Sequence, residues 1–166
     1  MIILTDTKEK NPWLFEGYPN TVTGRKSLLQ GDYALQGFEN EICIERKSES
    51  DFLSCLGADK PRFLRQLARA RGVPGYVIVV ESTWGRIAAG GYRYSRMSAA
   101  TAMDAVADIF ANWKVPIFFA GAKKDAERFA HGYFMNFLAG KKRQLRLAMK
   151  MAEGEMQEGV QDAEAF

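Results

Sequence analysis

Two uninterrupted apolar runs, GYVIVVES at residues 75–82 and VPIFFAG at 115–121, limit the folds open to this chain more than any other feature. Each is short, bounded by glycine or polar residues, and lacks the alternation of a strand with one wet face, so each reads as a strand buried on both sides. Between them Met103, Val106, Phe110 and Trp113 recur at helical spacing behind Ser98, where a helix is expected to start. A further helix is expected from about Lys124, with Phe129, Tyr133 and Phe137 on one face. The first half adds a strand over Ile2–Thr5 that delivers Asp6 at its end, two short strands or a hairpin arm between residues 21 and 36, and a strand over EICIERK at 41–47. From Asp51 to about Arg71 the pattern is helical, broken between Gly57 and Pro61. An antiparallel opening followed by β-α-β-α units predicts an α/β fold, with a central mixed sheet flanked by helices on both faces.

At 166 residues the chain has room for one well-buried core and not for two. The predicted organisation is a domain over residues 1–150 and an acidic, flexible tail over 151–166, where five acids stand without a lysine or arginine. The net charge of +3 is therefore an underestimate for the folded body. An alternative role for the tail is to compete with DNA for that basic surface. The opening MIILTDTKEK lacks the pattern of a secretion signal, and no apolar run is long enough for a bilayer span, so no membrane partner is expected. A cytoplasmic location is expected, or a nuclear one in a nucleated cell. Cys43 and Cys55 lack CxxC spacing and are read as free, buried thiols, and His131 as a hydrogen-bonded helical residue.

The strand over 41–47 carries more charge than packing requires. Side chains alternate along it, so Cys43, Glu45 and Lys47 share one face and Ile42, Ile44 and Arg46 the other. Glu45 and Lys47 as a plain surface ion pair would add little stability. Asp32 and Asp6, expected on neighbouring strands, would bring three carboxylates to one spot, where they repel unless a cation lies between them. A hard divalent ion with oxygen ligands and retained waters meets that need.

Gly31-Asp32, then Glu45-Arg46-Lys47, three residues and Asp51 resemble the GD...ERKxxxD signature of the XPF-type structure-specific endonucleases, within the PD-(D/E)XK, restriction-endonuclease-like class. LTDTKE at 4–9 is similar to that family's first-strand motif, with Asp6 and Glu9 on its acids and Lys8 in place of an arginine, and RFLRQLARA at 62–70 is similar to the helix after its ERK strand. The likeness covers residues 1–140. It implies a nuclease domain in which Asp32, Glu45 and Asp6 hold Mg2+ or Mn2+, with no small-molecule cofactor. Catalytic roles fall on Asp6, Asp32, Glu45, Arg46 and Lys47, Lys47 orienting the attacking water. The implied reaction is hydrolysis of DNA phosphodiesters on branched, flap or fork-like substrates, leaving a 5'-phosphate and a 3'-hydroxyl. Arg46, on the opposite strand face, is open to a phosphate contact or to a structural ion pair. Ser48-x-x-Asp51 fits a helix cap better than a metal contact.

DNA is the expected partner. Arg62, Arg65 and Arg69 form one basic stripe, to which Gln66 adds a polar contact. GGYRYSRMS at 90–98 offers Tyr92, Arg93 and Arg96 for stacking and phosphate pairing. Phe134, Phe137 and Leu138, beside the basic KKRQLRLAMK, suggest a homodimer, as family likeness also does. Family members usually continue into tandem helix-hairpin-helix modules, whereas this chain continues into acidic residues. The alternative function is a non-catalytic DNA-binding or scaffold subunit that keeps the nuclease fold; the presence of Asp6, Asp32, Glu45 and Lys47 favours catalysis.

Overall fold

A computed structural model of the chain describes the backbone of residues 1–164 and the side chains of residues 1–152. Six strands form one mixed sheet: β1 (Ile2–Asp6), β2 (Val22–Lys26), β3 (Tyr33–Leu35), β4 (Ile42–Ser48), β5 (Gly75–Glu81) and β6 (Ile117–Phe119), in the order β2-β1-β3-β4-β5-β6. β3 runs antiparallel to β1 and β4, while β1 with β2 and β4 with β5 and β6 are parallel. β2 and β3 are thus not a hairpin; β1 lies between them. Five helices accompany the sheet: α1 (Glu49–Leu56), α2 (Lys60–Ala70), α3 (Trp84–Ala89), α4 (Ala99–Asp108) and α5 (Lys123–Glu164). No helix among the described residues is long and apolar enough to cross a membrane.

Contacts divide the chain into two compact units, Met1–His131, which holds the sheet, and the residues from Gly132 onward. The expected acidic tail falls largely on residues 153–166, whose side chains lie outside the described residues.

The apolar content of β5 follows from its position. Tyr76 through Val80 are all buried, because β4 and β6 flank the strand and both its faces are covered. On one face Ala34, Cys43, Tyr76, Ile78 and Val80 pack with Phe52 and Leu56 of α1, Phe63 and Leu67 of α2, and Ala102 and Val106 of α4. The other face holds Ile42, Ile44, Val77 and Val79, with Trp13 stacked on Tyr33 at 4.4 Å between ring centroids. β6 is an edge strand, not the fully buried one expected: Phe118 is 39% exposed and stacks on Phe129.

The helix after Ser98 exists, capped by that serine's side chain, but its buried face is Ala102, Val106 and Ile109. Met103 and Phe110, expected inward, are exposed. A π-helical turn follows over Ile109–Trp113, and Trp113 reaches the core edge; of the expected stripe, Val106 and Trp113 thus face the core while Met103 and Phe110 do not. In α5 the fully buried positions are Ala126, Ala130 and Phe134, while Phe129, Tyr133 and Phe137, expected on one face, are each partly buried. Phe134, fully buried within the chain, is removed from the expected dimer surface, which leaves Phe137 and Leu138 half-buried.

Gly31 marks the close backbone approach that its place before Asp32 suggests. Its φ is +73°, and an added Cβ would stand 2.8 Å from the Ile44 carbonyl oxygen. Gly31→Ala is therefore expected to destabilise the protein by about 2 kcal/mol or more, through both strain and backbone clash. Gly37→Ala, at φ +84° with nothing within 4 Å, is expected to lose only about 1 kcal/mol. Chemical denaturation of both variants checks this; equal losses would show that the contact with Ile44 is unimportant.

Candidate active site

The antiparallel pairing of β3 with β1 and β4 fixes where the charged residues arrive. The amide of Asp6 donates to the Asp32 carbonyl at 2.8 Å, and the amide of Asp32 donates to the Ile44 carbonyl at 2.7 Å. The residue just before β3 is thereby tied to the end of β1 and to the middle of β4. Alternation along β4 then points Glu45 and Lys47 to the side of the sheet that α1 and α2 cover. Asp6, Asp32, Glu45 and Lys47 all line one cleft of about 430 Å3, whose far wall includes Arg62, Gln66 and Arg69 of α2.

The carboxylates differ in what they touch. Asp6 is 5% exposed, and its two oxygens accept hydrogen bonds from the backbone amides of Lys8 and Leu28, both at 2.7 Å. It binds together the segments after β1 and β2. Asp32 accepts one bond, from the Arg46 amide at 2.8 Å. Glu45 accepts a short bond from the Lys47 ammonium.

Burial, and then the nearby Glu45 charge, pushes the Asp32 carboxyl up to about 8, although Lys47 and the Arg46 amide act the other way. Burial disfavours the Lys47 ammonium, but attraction to Glu45 outweighs it and holds the group above the usual lysine value. The Cys43 thiol beneath them is pushed up to about 12, first by burial and then by Glu45 and Asp32. Lys47 is the cation bonded to this carboxylate cluster, and Lys8, Arg62 and Arg69 line the same cleft.

Among the described residues, no three His, Cys, Asp or Glu side chains are grouped to hold a metal ion. The candidate donors in the cleft are Asp32 and Glu45, with Asp6 beside them; each Asp6 oxygen accepts one amide and keeps a second lone pair for a cation or its water. These adjoining hard oxygen donors fit a hard divalent cation that keeps much of its water shell. They do not fit a softer metal, which would seek sulfur or imidazole ligands.

Arg46 stands on the opposite face of β4. Its guanidinium makes two bonds to Glu81, at 2.8 and 2.7 Å, and approaches Glu9 at 3.4 Å. Trp13 Nε1 donates to the same Glu81 at 2.9 Å. Burial works against the Glu81 charge, but the bonds from Arg46 and Trp13 hold its carboxyl below the usual range. Ser48 caps α1, accepting from the Asp51 amide at 3.2 Å and donating to the Asp51 carboxylate at 2.7 Å, the capping arrangement its spacing suggests.

Of the residues expected to meet DNA, Arg62, Gln66 and Arg69 face the cleft, while Arg65 is exposed beside it. The Gln66 amide donates to the Tyr76 hydroxyl at 3.3 Å. Arg93 and Arg96 are exposed, Arg93 lying over the ring of Tyr94. Tyr92 is not available for base stacking: it is 6% exposed, its hydroxyl donates to the Ile87 carbonyl, and Arg86 covers its ring. Tyr94, 76% exposed, is the solvent-facing ring of that segment, with Arg93 over it. Ser54, Cys55 and Asp59 also line the cleft and were not singled out from sequence. The signal for the first two was helical spacing, since they lie three and four residues beyond Asp51. Cys43 and Cys55 are free thiols, and His131 stacks on Tyr18 and bonds to Thr21.

A sequence model of the ERCC4 domain matches residues 6–132. Among solved structures, XPF from Aeropyrum pernix aligns with a TM-score of 0.65 at 20% identity, over 80% of this chain and 59% of that one. XPF from Aeropyrum pernix in complex with DNA aligns with a TM-score of 0.62 at 21% identity, over 85% and 66%. The chain thus spans less than two thirds of the length of those proteins. No curated protein sequence matches it significantly.

Proposed function

The chain belongs to the ERCC4 domain family, and on that premise we propose that it is a metal-dependent DNA endonuclease acting on branched, flap or fork-like DNA. The observation that carries this reading is the convergence of Asp32, Glu45 and Lys47 on one cleft whose opposite wall presents Arg62 and Arg69. A phosphodiester needs that combination: cationic groups to hold the chain, and a place where charge can build on the phosphate oxygens.

Asp32 and Glu45 would hold Mg2+ or Mn2+, which when bound supplies Lewis-acid polarisation of the phosphate and acidifies a water. The protein's own groups do the rest. Lys47, fixed by Glu45, presents its ammonium to the same space, where it orients a water and favours its hydroxide form. Arg62 and Arg69 position the DNA backbone from α2, and Arg65 extends that positive strip outside the cleft. Asp6 acts through geometry, fixing Leu28 and Lys8 at the rim. Arg46 acts through Glu81 and Glu9 to hold β4. Products with a 5'-phosphate and a 3'-hydroxyl follow from water attack at phosphorus with departure of the 3'-oxygen.

A second reading, a DNA-binding subunit without catalysis, draws on the engagement of both Asp6 oxygens by backbone amides. A cleavage assay separates the two. The full chain is incubated with Mg2+ or Mn2+ on single-stranded, duplex, flap, fork and four-way DNA. Cutting of at least one branched substrate that stops with chelator is expected; binding of DNA without cutting under either metal would establish the scaffold.

A further inference from the structure

The short segment between β2 and Asp32, Ser27-Leu28-Leu29-Gln30, is the common wall of two cavities. Leu28, Leu29 and Gln30 line the catalytic cleft on one side and a second groove of about 210 Å3 on the other. The side chains divide the work. Leu28 packs against the core, whereas Leu29 is 87% exposed, more than any other large apolar residue of known exposure in the chain. A lone exposed leucine is ordinary. A leucine at the crest of a wall with a cavity on each side is a different object.

The wall is also stiff. The Leu28 amide is held by the Asp6 carboxylate at 2.7 Å, Gly31 packs against the Ile44 carbonyl, and the Asp32 amide bonds to that same carbonyl. On the groove side Lys26 is paired with Glu39 at 2.7 Å, so its charge is already met. What remains there is neutral and polar, from Ser27, Gln30 and Asn40. Such a lining offers hydrogen bonds to the edge of a base and little to a phosphate, whereas the cleft with its arginines suits the backbone.

We propose that residues 27–30 form a strand-separating ridge: Leu29 wedges into the base stack beside the cut phosphate, one strand's backbone enters the catalytic cleft, and the displaced base enters the polar groove. This rests on the nuclease reading above and adds how unpaired DNA would be selected. Unstacking one step is costly in intact duplex and nearly free at a fork or flap, so a rigid apolar wedge favours DNA that is already opened.

The test uses the full chain, a forked duplex carrying 2-aminopurine at the base flanking the cut position, and Ca2+ in place of Mg2+ to read binding without turnover. Emission is expected to rise several-fold when the wild type binds. In Leu29→Ala the rise is expected to be largely lost while the binding constant from anisotropy weakens by less than about threefold, and Leu29→Phe is expected to restore it. With Mg2+, the ratio of fork to single-strand cleavage is expected to fall about tenfold in Leu29→Ala. Binding with an undiminished emission rise in Leu29→Ala would overturn the ridge and leave the nuclease reading standing. Failure of the wild type to bind any of the DNAs would overturn both. The exposure of Leu29 ensures that neither variant fails by unfolding.

Discussion

Lys47→Met is expected to lower DNA cleavage by about a thousandfold at saturating Mg2+, with little change in fold. The magnitude is that of removing one preorganised charged donor from a water-poor site. Lys47 is largely buried and held by Glu45, so its ammonium needs no reorganisation when negative charge builds on the phosphate. Methionine keeps the apolar stem and removes only the charge. The loss should appear in kcat rather than in DNA affinity, because in the proposed function Arg62 and Arg69 of the same cleft, not Lys47, would position the backbone. Single-turnover kinetics with a fork substrate measure it. A rate within about threefold of wild type would show that Lys47 serves only to neutralise Glu45.

Asp32→Asn is expected to abolish cleavage and, in metal-free protein, to raise stability at neutral and alkaline pH. The folded-state carboxyl of Asp32 is raised from 3.8 to about 8, mainly by burial and then by Glu45. Between those two values the unfolded chain has released a proton that the native state retains, so wild-type stability falls as pH rises. Below about pH 4 both states are protonated and the loss disappears; above about pH 8 it is complete. Asparagine does not titrate and still accepts from the Arg46 amide. At pH 8 the Asp32→Asn protein should therefore be more stable by roughly 2 to 5 kcal/mol, converting at about 1.4 kcal/mol per tenfold in proton affinity and allowing for relaxation. Near pH 4 the two proteins should coincide. Urea denaturation in chelator from pH 4 to 8.5 checks the prediction. Adding Mg2+ should stabilise wild type in the upper range far more than the Asp32→Asn protein. Parallel pH profiles for the two proteins would remove Asp32 from the charged centre.

The central part of this architecture could be read from the chain because its signals were local. A continuous apolar run marks β5, and alternation along ICIERK separates Glu45 and Lys47 from Arg46. Signals that depend on neighbours were not legible in the same way. The position of β1 between β2 and β3 depends on a pairing that no short window encodes. α3 is only six residues long and capped by Thr83, too short for a periodic pattern. The π-helical turn after α4 adds a residue to one turn, which a fixed helical period cannot anticipate. Tyr92 resembled a surface ring because its neighbours are glycine and arginine, yet Arg86 and the Ile87 carbonyl hold it inside. In the site, residue types were legible and hydrogen-bond partners were not: Asp6 also ties the amides of Lys8 and Leu28, a task no sequence pattern announces.

The charged cluster behind β4 determines more than local stability. Sliding β4 by one position against β5 would exchange its two faces. Glu45 would then face Glu81 and Glu9 across the sheet, three carboxylates without the guanidinium that now serves two of them. Arg46 would swing into the space that needs two acids. The penalty for that error falls on the side of the strand opposite Glu45 and Lys47, so the register of this segment is selected by the pairing of Arg46 with Glu81 and Glu9.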